Sequence, residues 1–298
     1  MRRLLAVLLG MLALAASALA APAWEGALSP RVARIKASGT VRLGYRDDVV
    51  PFSFVGRDGM PAGYSLDLCR AVVATLADEL GVPLGIDYVR VTAQDRVRSV
   101  ADGTVDLECG ATTGTAQRRR AVAFSPVIFV TGTRLAVPRA SKVRDVAALA
   151  GQRIAVVGGT TNEAALRDLD RRRSLHATLV VVDGYAAALA ALADGRAEAL
   201  AADEVLLRAL LAESGRASEF RIVGPMLSLE PYGLMLPRDE PALAEAVAGT
   251  LRELAASREI VWLYDRWFTR PLPGGAAIGL PMGIELRRSF ELLGLPPE

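Results

Sequence analysis

The sequence predicts an α/β protein of two lobes, each a mostly parallel sheet flanked by helices. Strand and helix patterns alternate through two successive units, and two extended, apolar, glycine-containing segments join those units. Just past the C-terminal ends of six strands stand Arg46, Arg96, Thr112 with Thr113 and Arg118, then Thr160, Tyr185 and Asp203. Open α/β sheets bind ligands at that edge, so the layout describes a cleft for a small anion.

Short apolar runs between turn residues give the strands, and the longer helical period gives the helices. The first unit reads as strand 41–45, helix 66–80, strand 86–91, helix 94–101 and strand 105–108. The second reads as strand 153–157, helix 162–172, strand 178–182, helix 185–193, strand 198–202 and a further helix, 204–213. Segments 129–137 and 232–237 are expected as hinge strands. The chain then returns to the first lobe with helices 241–256 and 258–267, and the Pro- and Gly-containing tail, 271–298, is expected to wrap that lobe. Lobe one is therefore assigned residues 24–131 and 233–298, and lobe two residues 132–232.

At the N-terminus, Arg2 and Arg3 precede an apolar run from Leu4 to Leu14, followed by the small-residue stretch Ala18-Leu19-Ala20. This is the pattern of a secretory signal peptide over residues 1–20. The run is short for a membrane anchor, and no charge follows to stop transfer. Cleavage after Ala20 or after Ala23 both fit. Removing residues 1–20 leaves 33 basic against 33 acidic side chains. That balance argues against nucleic acid or a membrane surface as partner, since either selects a basic patch. About 275 remaining residues suffice for two cores.

An exported chain meets an oxidising compartment, so Cys69 and Cys109 are expected to form one disulfide tying a helix to the sheet of lobe one. Two separately buried thiols are the alternative. Two cysteines and one histidine cannot build an ordinary zinc site, and no metal is expected.

Gly158-Gly159-Thr160-Thr161-Asn162-Glu163 follows an apolar strand, with Thr160 and Glu163 at capping-box spacing. Such a helix start exposes backbone N–H groups to an anion, although it is also an ordinary strand-to-helix turn. It is neither a Walker A loop nor a dinucleotide fingerprint, and no cofactor is expected. The stretch 106–120 places Thr112 and Thr113 at a strand end and Arg118 within the first turns of an expected helix. An arginine fork there suits a carboxylate. A capped surface helix with three solvated arginines is the alternative.

The chain resembles the periplasmic solute-binding proteins of amino-acid ABC transporters, family 3, and within them the glutamate/aspartate-binding branch. The resemblance rests on Gly44-Tyr-Arg46, Val50-Pro-Phe-Ser-Phe, Gly63-Tyr-Ser, Thr92-Ala-Gln-Asp-Arg96, Gly103-Thr-Val-Asp and Glu108-Cys-Gly-Ala-Thr-Thr. It continues through Ala123-Phe-Ser, Phe129-Val-Thr-Gly-Thr-Arg, Gly159-Thr-Thr, Gly195-Arg-Ala, Ala202-Asp203, Tyr232-Gly and Trp267-Phe. It implies the periplasmic binding protein type II fold and a periplasmic monomer that closes on one amino acid and delivers it to a membrane permease. By the same resemblance, Arg118 with Thr112 and Thr113 holds the α-carboxylate and Asp203 the α-ammonium. Arg46 and Arg96 reach a side-chain carboxylate, and Thr160 binds at the helix start of lobe two.

Three arginines against one aspartate leave a positive excess that a dicarboxylate bearing one ammonium would complement. Pairing of Arg46 or Arg96 with Asp47, Asp48 or Asp95 would loosen this toward a neutral polar amino acid such as glutamine or asparagine. Ala93 and Ala111 stand where the branch has serines, and Tyr185 where it has a histidine, so three side-chain hydrogen bonds are lost or altered. The competing class is an enzyme on the same fold resembling the cyclohexadienyl dehydratases. It would need a general acid from among Glu108, Glu163 and Glu230, and nothing in the sequence singles one out. His176, the only histidine, is expected at the surface, and no catalysis is expected.

Overall fold

The computed structural model describes residues 28–297, and the expected signal peptide lies outside them. One five-stranded sheet has the order Gly85–Arg90, Thr40–Tyr45, Leu107–Glu108, Met235–Pro237, Val122–Phe124. The other has the order Thr178–Val182, Arg153–Val157, Ala199–Asp203, Thr133–Pro138, Phe220–Val223. In each, three parallel strands from one βαβαβ unit are followed by a strand that runs antiparallel to its neighbours. The antiparallel strand is the one that arrives from the other lobe, which is why its direction is reversed. Helices cover the faces: Tyr64–Leu80 packs on the first sheet, and Tyr185–Ala193 contacts Arg153–Val157 in the second.

Each expected hinge segment divides in two. Phe129–Thr131 pairs with Glu230–Tyr232 in a two-stranded ribbon, while the continuations Thr133–Pro138 and Met235–Pro237 enter opposite sheets. At Gly132 a Cβ would lie 2.3 Å from the carbonyl oxygen of Ser228, an approach that only glycine permits. The ribbon is anchored by aromatic packing, with Phe52 4.9 Å from Phe129 and 5.2 Å from Tyr232 between ring centroids, and Phe129 4.7 Å from Phe268. Edge-on and offset ring pairs of this kind each add about 0.5–1.5 kcal/mol beyond area burial.

The expected disulfide is present: Cys69 in the helix Tyr64–Leu80 is bonded to Cys109, with the two Cα atoms 6.3 Å apart. Both residues are fully buried.

Three expectations need correction. The helix expected to carry Arg118 is only a three-residue 3-10 turn, Arg118–Arg120, because the preceding Thr113-Gly-Thr stretch is committed to pairing with the hinge strand. The helix expected over 258–267 is regular only over Glu259–Tyr264, then widens into a π-type turn, Asp265–Thr269. The tail does not stay on lobe one. Its helix Ile284–Leu292 does pack there, against Pro241–Ala256. Before that, residues 272–278 reach the second sheet's side, where Ile278 lines a cavity with Leu211, Phe220 and Ile222. The sequence reading also missed the helix Pro30–Ser38 and the small antiparallel sheet of Asp48–Val49, Ser53–Val55 and Pro61–Ala62.

Candidate ligand cleft between the lobes

On the lobe-one side, Arg46 follows the strand Thr40–Tyr45 and is held by its own backbone. Its N–H donates to Ser53 Oγ at 2.9 Å, and Ser53 Oγ donates back to its carbonyl at 3.0 Å. Its guanidinium is buried and pairs with Asp48 at 2.6 Å. Arg96 opens the helix Arg96–Ala101 and is only 3% exposed. Its Nη1 donates to the Ala111 carbonyl at 3.3 Å, while its buried Nε has no hydrogen-bond partner among the described residues. Burial, reinforced by Arg118 and Arg46, pushes its pKa down to about 9.

Thr112 and Thr113 are buried, and both hydroxyls are already engaged. Thr112 donates to Glu108 Oε2 at 2.9 Å, and Thr113 donates to Glu230 Oε2 at 2.5 Å. Arg118 is half-buried and donates from Nη1 to the Thr113 carbonyl at 3.0 Å.

On the lobe-two side, Thr160 caps the helix Thr161–Arg173, accepting from the Glu163 N–H at 3.3 Å. Glu163 reaches back to the N–H of Gly159, one residue before the cap, at 2.9 Å. Asp203 ends the central strand Ala199–Asp203 and precedes the helix Glu204–Glu213. Its carboxylate accepts from Asn162 Nδ2 at 2.7 Å and from the Tyr232 hydroxyl. Burial, with Glu230 nearby, pushes its pKa up to about 7. Tyr185 opens the helix Tyr185–Ala193, buried, where it feels Asp203 on its own side and Arg46, Asp48 and Arg96 opposite. Burial raises its phenol pKa.

The eight residues singled out from the sequence therefore lie along the facing sides of the two lobes, and direct contacts join the lobes there. Arg118 Nη2 donates across to the Gly159 carbonyl at 3.3 Å. Gly159 adopts φ +73°, and a Cβ there would lie 3.2 Å from the Ala93 carbonyl of the opposite lobe. Glu230 also takes a hydrogen bond from Thr161 at 2.7 Å, so one carboxylate bridges Thr113 of lobe one and Thr161 of lobe two.

Sequence reasoning missed Asn162 and Tyr232 as cleft residues, although one lies inside the glycine-rich helix start and the other in the hinge motif. It weighed Glu108 and Glu230 only as acids for catalysis. His176 is exposed, as expected. A separate cavity of about 280 Å³ behind the ribbon, lined by Phe129, Met226, Leu229, Tyr264 and Leu280, includes none of the eight.

Residues 41–270 match the bacterial extracellular solute-binding proteins, family 3. The chain belongs to that family. This family-3 protein is 34% identical over 279 residues to the L-glutamate/L-aspartate-binding protein of Pseudomonas aeruginosa, covering 93% of this chain and 92% of the relative. It is 32% identical to the glutamate/aspartate import solute-binding protein of Escherichia coli, with 89% and 87% of the two chains covered. Among solved structures, a mutant of ArgBP from T. maritima superposes with a TM-score of 0.72 at 27% identity, covering 80% of this chain and all of that one. The fold is thus the two-lobed type II periplasmic binding protein architecture. The curated relatives are named as transport binding proteins and not as enzymes, and the family implies an amino acid as ligand and an ABC transporter as partner. No helix among the described residues is long and apolar enough to cross a membrane.

Proposed function

We propose that this protein captures glutamate or aspartate between its lobes and hands the closed complex to the permease of an ABC importer. It works in the periplasm, as a monomer, after cleavage of residues 1–20. The observation that carries the reading is Arg96: a 3%-exposed guanidinium with an unpartnered Nε, crowded by two further arginines. A buried cation in that position is stabilised by an incoming carboxylate, whereas with an uncharged ligand the three arginines have only Glu108 and Asp48 to offset them. The identity to glutamate/aspartate-binding relatives supports the same ligand class.

In this reading Arg118, with Thr112 and Thr113, receives the α-carboxylate. Asp203, held by Asn162 and Tyr232, receives the ammonium, and the N-terminus at Thr160 contributes from lobe two. Because both lobe-one hydroxyls donate to glutamates, Thr112 and Thr113 contribute backbone N–H groups to the carboxylate rather than hydroxyl protons. Closure brings the two half-sites together and the hinge segments absorb the rotation.

A neutral polar ligand is the second reading, favoured by one observation: Arg46 is paired with Asp48, which removes one arginine from the positive excess. Calorimetric titration of the stripped mature protein with glutamate, aspartate, glutamine and asparagine, with prephenate as control, tests both. Tight binding of an acid without turnover supports the proposal. Preference for an amide supports the second reading, and consumption of prephenate overturns both.

A further inference from the structure

Glu108 is the last residue of the strand Leu107–Glu108 in the middle of the first sheet, and its side chain is fully buried beneath the cleft. One oxygen accepts from Thr112. The other, Oε1, has no hydrogen-bond partner among the described residues. The carboxyl is folded tightly over Gly110: a Cβ at that glycine would lie 2.2 Å from Oε1 and 3.2 Å from Cγ of Arg46. The charges that act on Glu108 are those of Arg96, Arg46 and Arg118, from three different segments of lobe one. Its strand neighbours Gly44 and Met235 bring no charge, and the helix Tyr64–Leu80 meets this loop through Ser65, which donates to the Gly110 carbonyl at 2.8 Å. Asp48, Tyr185, Glu230, Asp203 and Tyr232 complete the charged or titratable groups around the same arginines.

The three arginines therefore already have an internal carboxylate among them, besides Asp48 on Arg46. An incoming ligand carboxylate and an ionised Glu108 would compete for the same cations. Two like charges sharing a buried site do not both stay ionised without cost.

We propose that Glu108 is a titrating counter-charge that adapts the cleft to the charge of its ligand. It carries a proton when the far end of the ligand is a carboxylate and gives the proton up when that end is an amide. Burial raises the Glu108 pKa, while Arg96, the Thr112 hydrogen bond, Arg46 and Arg118 pull against that rise. The proposal rests on the amino-acid reading above and extends it. It gives one cleft a means of accepting both an acid and its amide, and it makes Glu108 a determinant of the preference between them.

The test is calorimetry of the wild-type mature protein with glutamate and with glutamine, each in two buffers of different ionisation enthalpy, which yields the protons taken up on binding. Whatever the state of Glu108 before binding, uptake with glutamate should exceed uptake with glutamine. The contribution of Asp203 is common to both ligands, since both carry the ammonium, and it cancels in the difference. Glu108→Gln should abolish the difference and raise the ratio of the glutamine Kd to the glutamate Kd by about tenfold, the equivalent of one pKa unit of differential interaction. Equal proton uptake in the wild type, or an unchanged ratio in a folded Glu108→Gln, overturns the proposal while leaving the ligand reading standing. Binding of neither ligand overturns the ligand reading itself and the proposal with it.

Discussion

Arg118 and Gly159 join the two lobes directly: the guanidinium of one donates to the carbonyl of the other at 3.3 Å, while its second Nη holds Thr113 at 3.0 Å on its own side. Arg118 is thus a closure contact and, in the proposed reading, the fork for the ligand's carboxylate as well. Arg118→Ala is expected to weaken amino-acid binding by about 3–5 kcal/mol, since it leaves a carboxylate unpaired and removes a contact of the closed state. Arg118→Lys should recover part of that loss. Calorimetric Kd values decide it, and an unchanged Kd in Arg118→Ala would remove Arg118 from the site.

In the proposed reading Asp203 should give the cleft a pH dependence. Burial pushes its pKa up to about 7, so below that value the carboxyl is protonated and must lose its proton before it can hold an ammonium. Affinity should therefore fall as pH drops below about 7, approaching tenfold per unit, and level off above. Asp203→Asn should bind more weakly and lose this dependence. The same shift acts on stability with the opposite slope. An acid whose folded pKa is raised contributes stability at low pH and loses it as pH rises through about 7. Titrations from pH 5 to 9 check the first expectation, and urea midpoints of the ligand-free protein check the second.

Glu230 accepts hydroxyl hydrogen bonds from Thr113, Thr161 and Ser228 at 2.5, 2.7 and 2.5 Å. An amide cannot accept from all three without turning its NH₂ toward a hydroxyl. Glu230→Gln is expected to cost about 1–3 kcal/mol, partly as stability and partly as closure. Small-angle scattering should show a larger radius of gyration for the ligand-bound variant than for the ligand-bound wild type. Identical scattering curves with an unchanged unfolding midpoint would show that the bridge contributes nothing.

The Cys69–Cys109 bond closes a separation of 40 residues within lobe one. The double variant Cys69→Ala with Cys109→Ala should lose about 3–4 kcal/mol of unfolding free energy in the chain-entropy account. Ligand affinity should change little, because neither cysteine reaches the cleft. A loss of affinity exceeding the loss of stability would contradict that separation of roles.

The residues of the cleft were legible because strand ends are legible: Arg46, Thr160, Tyr185 and Asp203 follow or end apolar runs whose period is clear. The partners of those residues were not. Glu108, Asp48, Glu230 and Asn162 matter through pairings that depend on which strands become neighbours, and charge counting along the chain saw three arginines against one aspartate where the fold supplies further acids. The extent of Arg118's helix was misread for a similar reason. A local helix pattern in Ala-Gln-Arg-Arg-Arg was overridden by the bridge between Thr113 and Tyr232. The small antiparallel sheet escaped notice because its strands are two or three residues long.

The tail loop bears on how the lobes can part. The Leu280 N–H donates to the Phe268 carbonyl at 2.9 Å, pinning the neck of the loop to lobe one. Its tip lies between the two bodies: Arg57 of lobe one donates to the Gly274 carbonyl at 3.0 Å, and a Cβ on Gly274 would sit 3.1 Å from the Glu213 carboxylate of lobe two. Ile278, 6% exposed, is seated beside Phe220 and Ile222. A swing about the ribbon alone would drag Ile278 into water, at about 1.5–3 kcal/mol for a side chain of that size. An opening of least cost is expected to turn about a line that passes close to both ribbon and loop tip, which would part the lobes by a twist and open the cleft from one end.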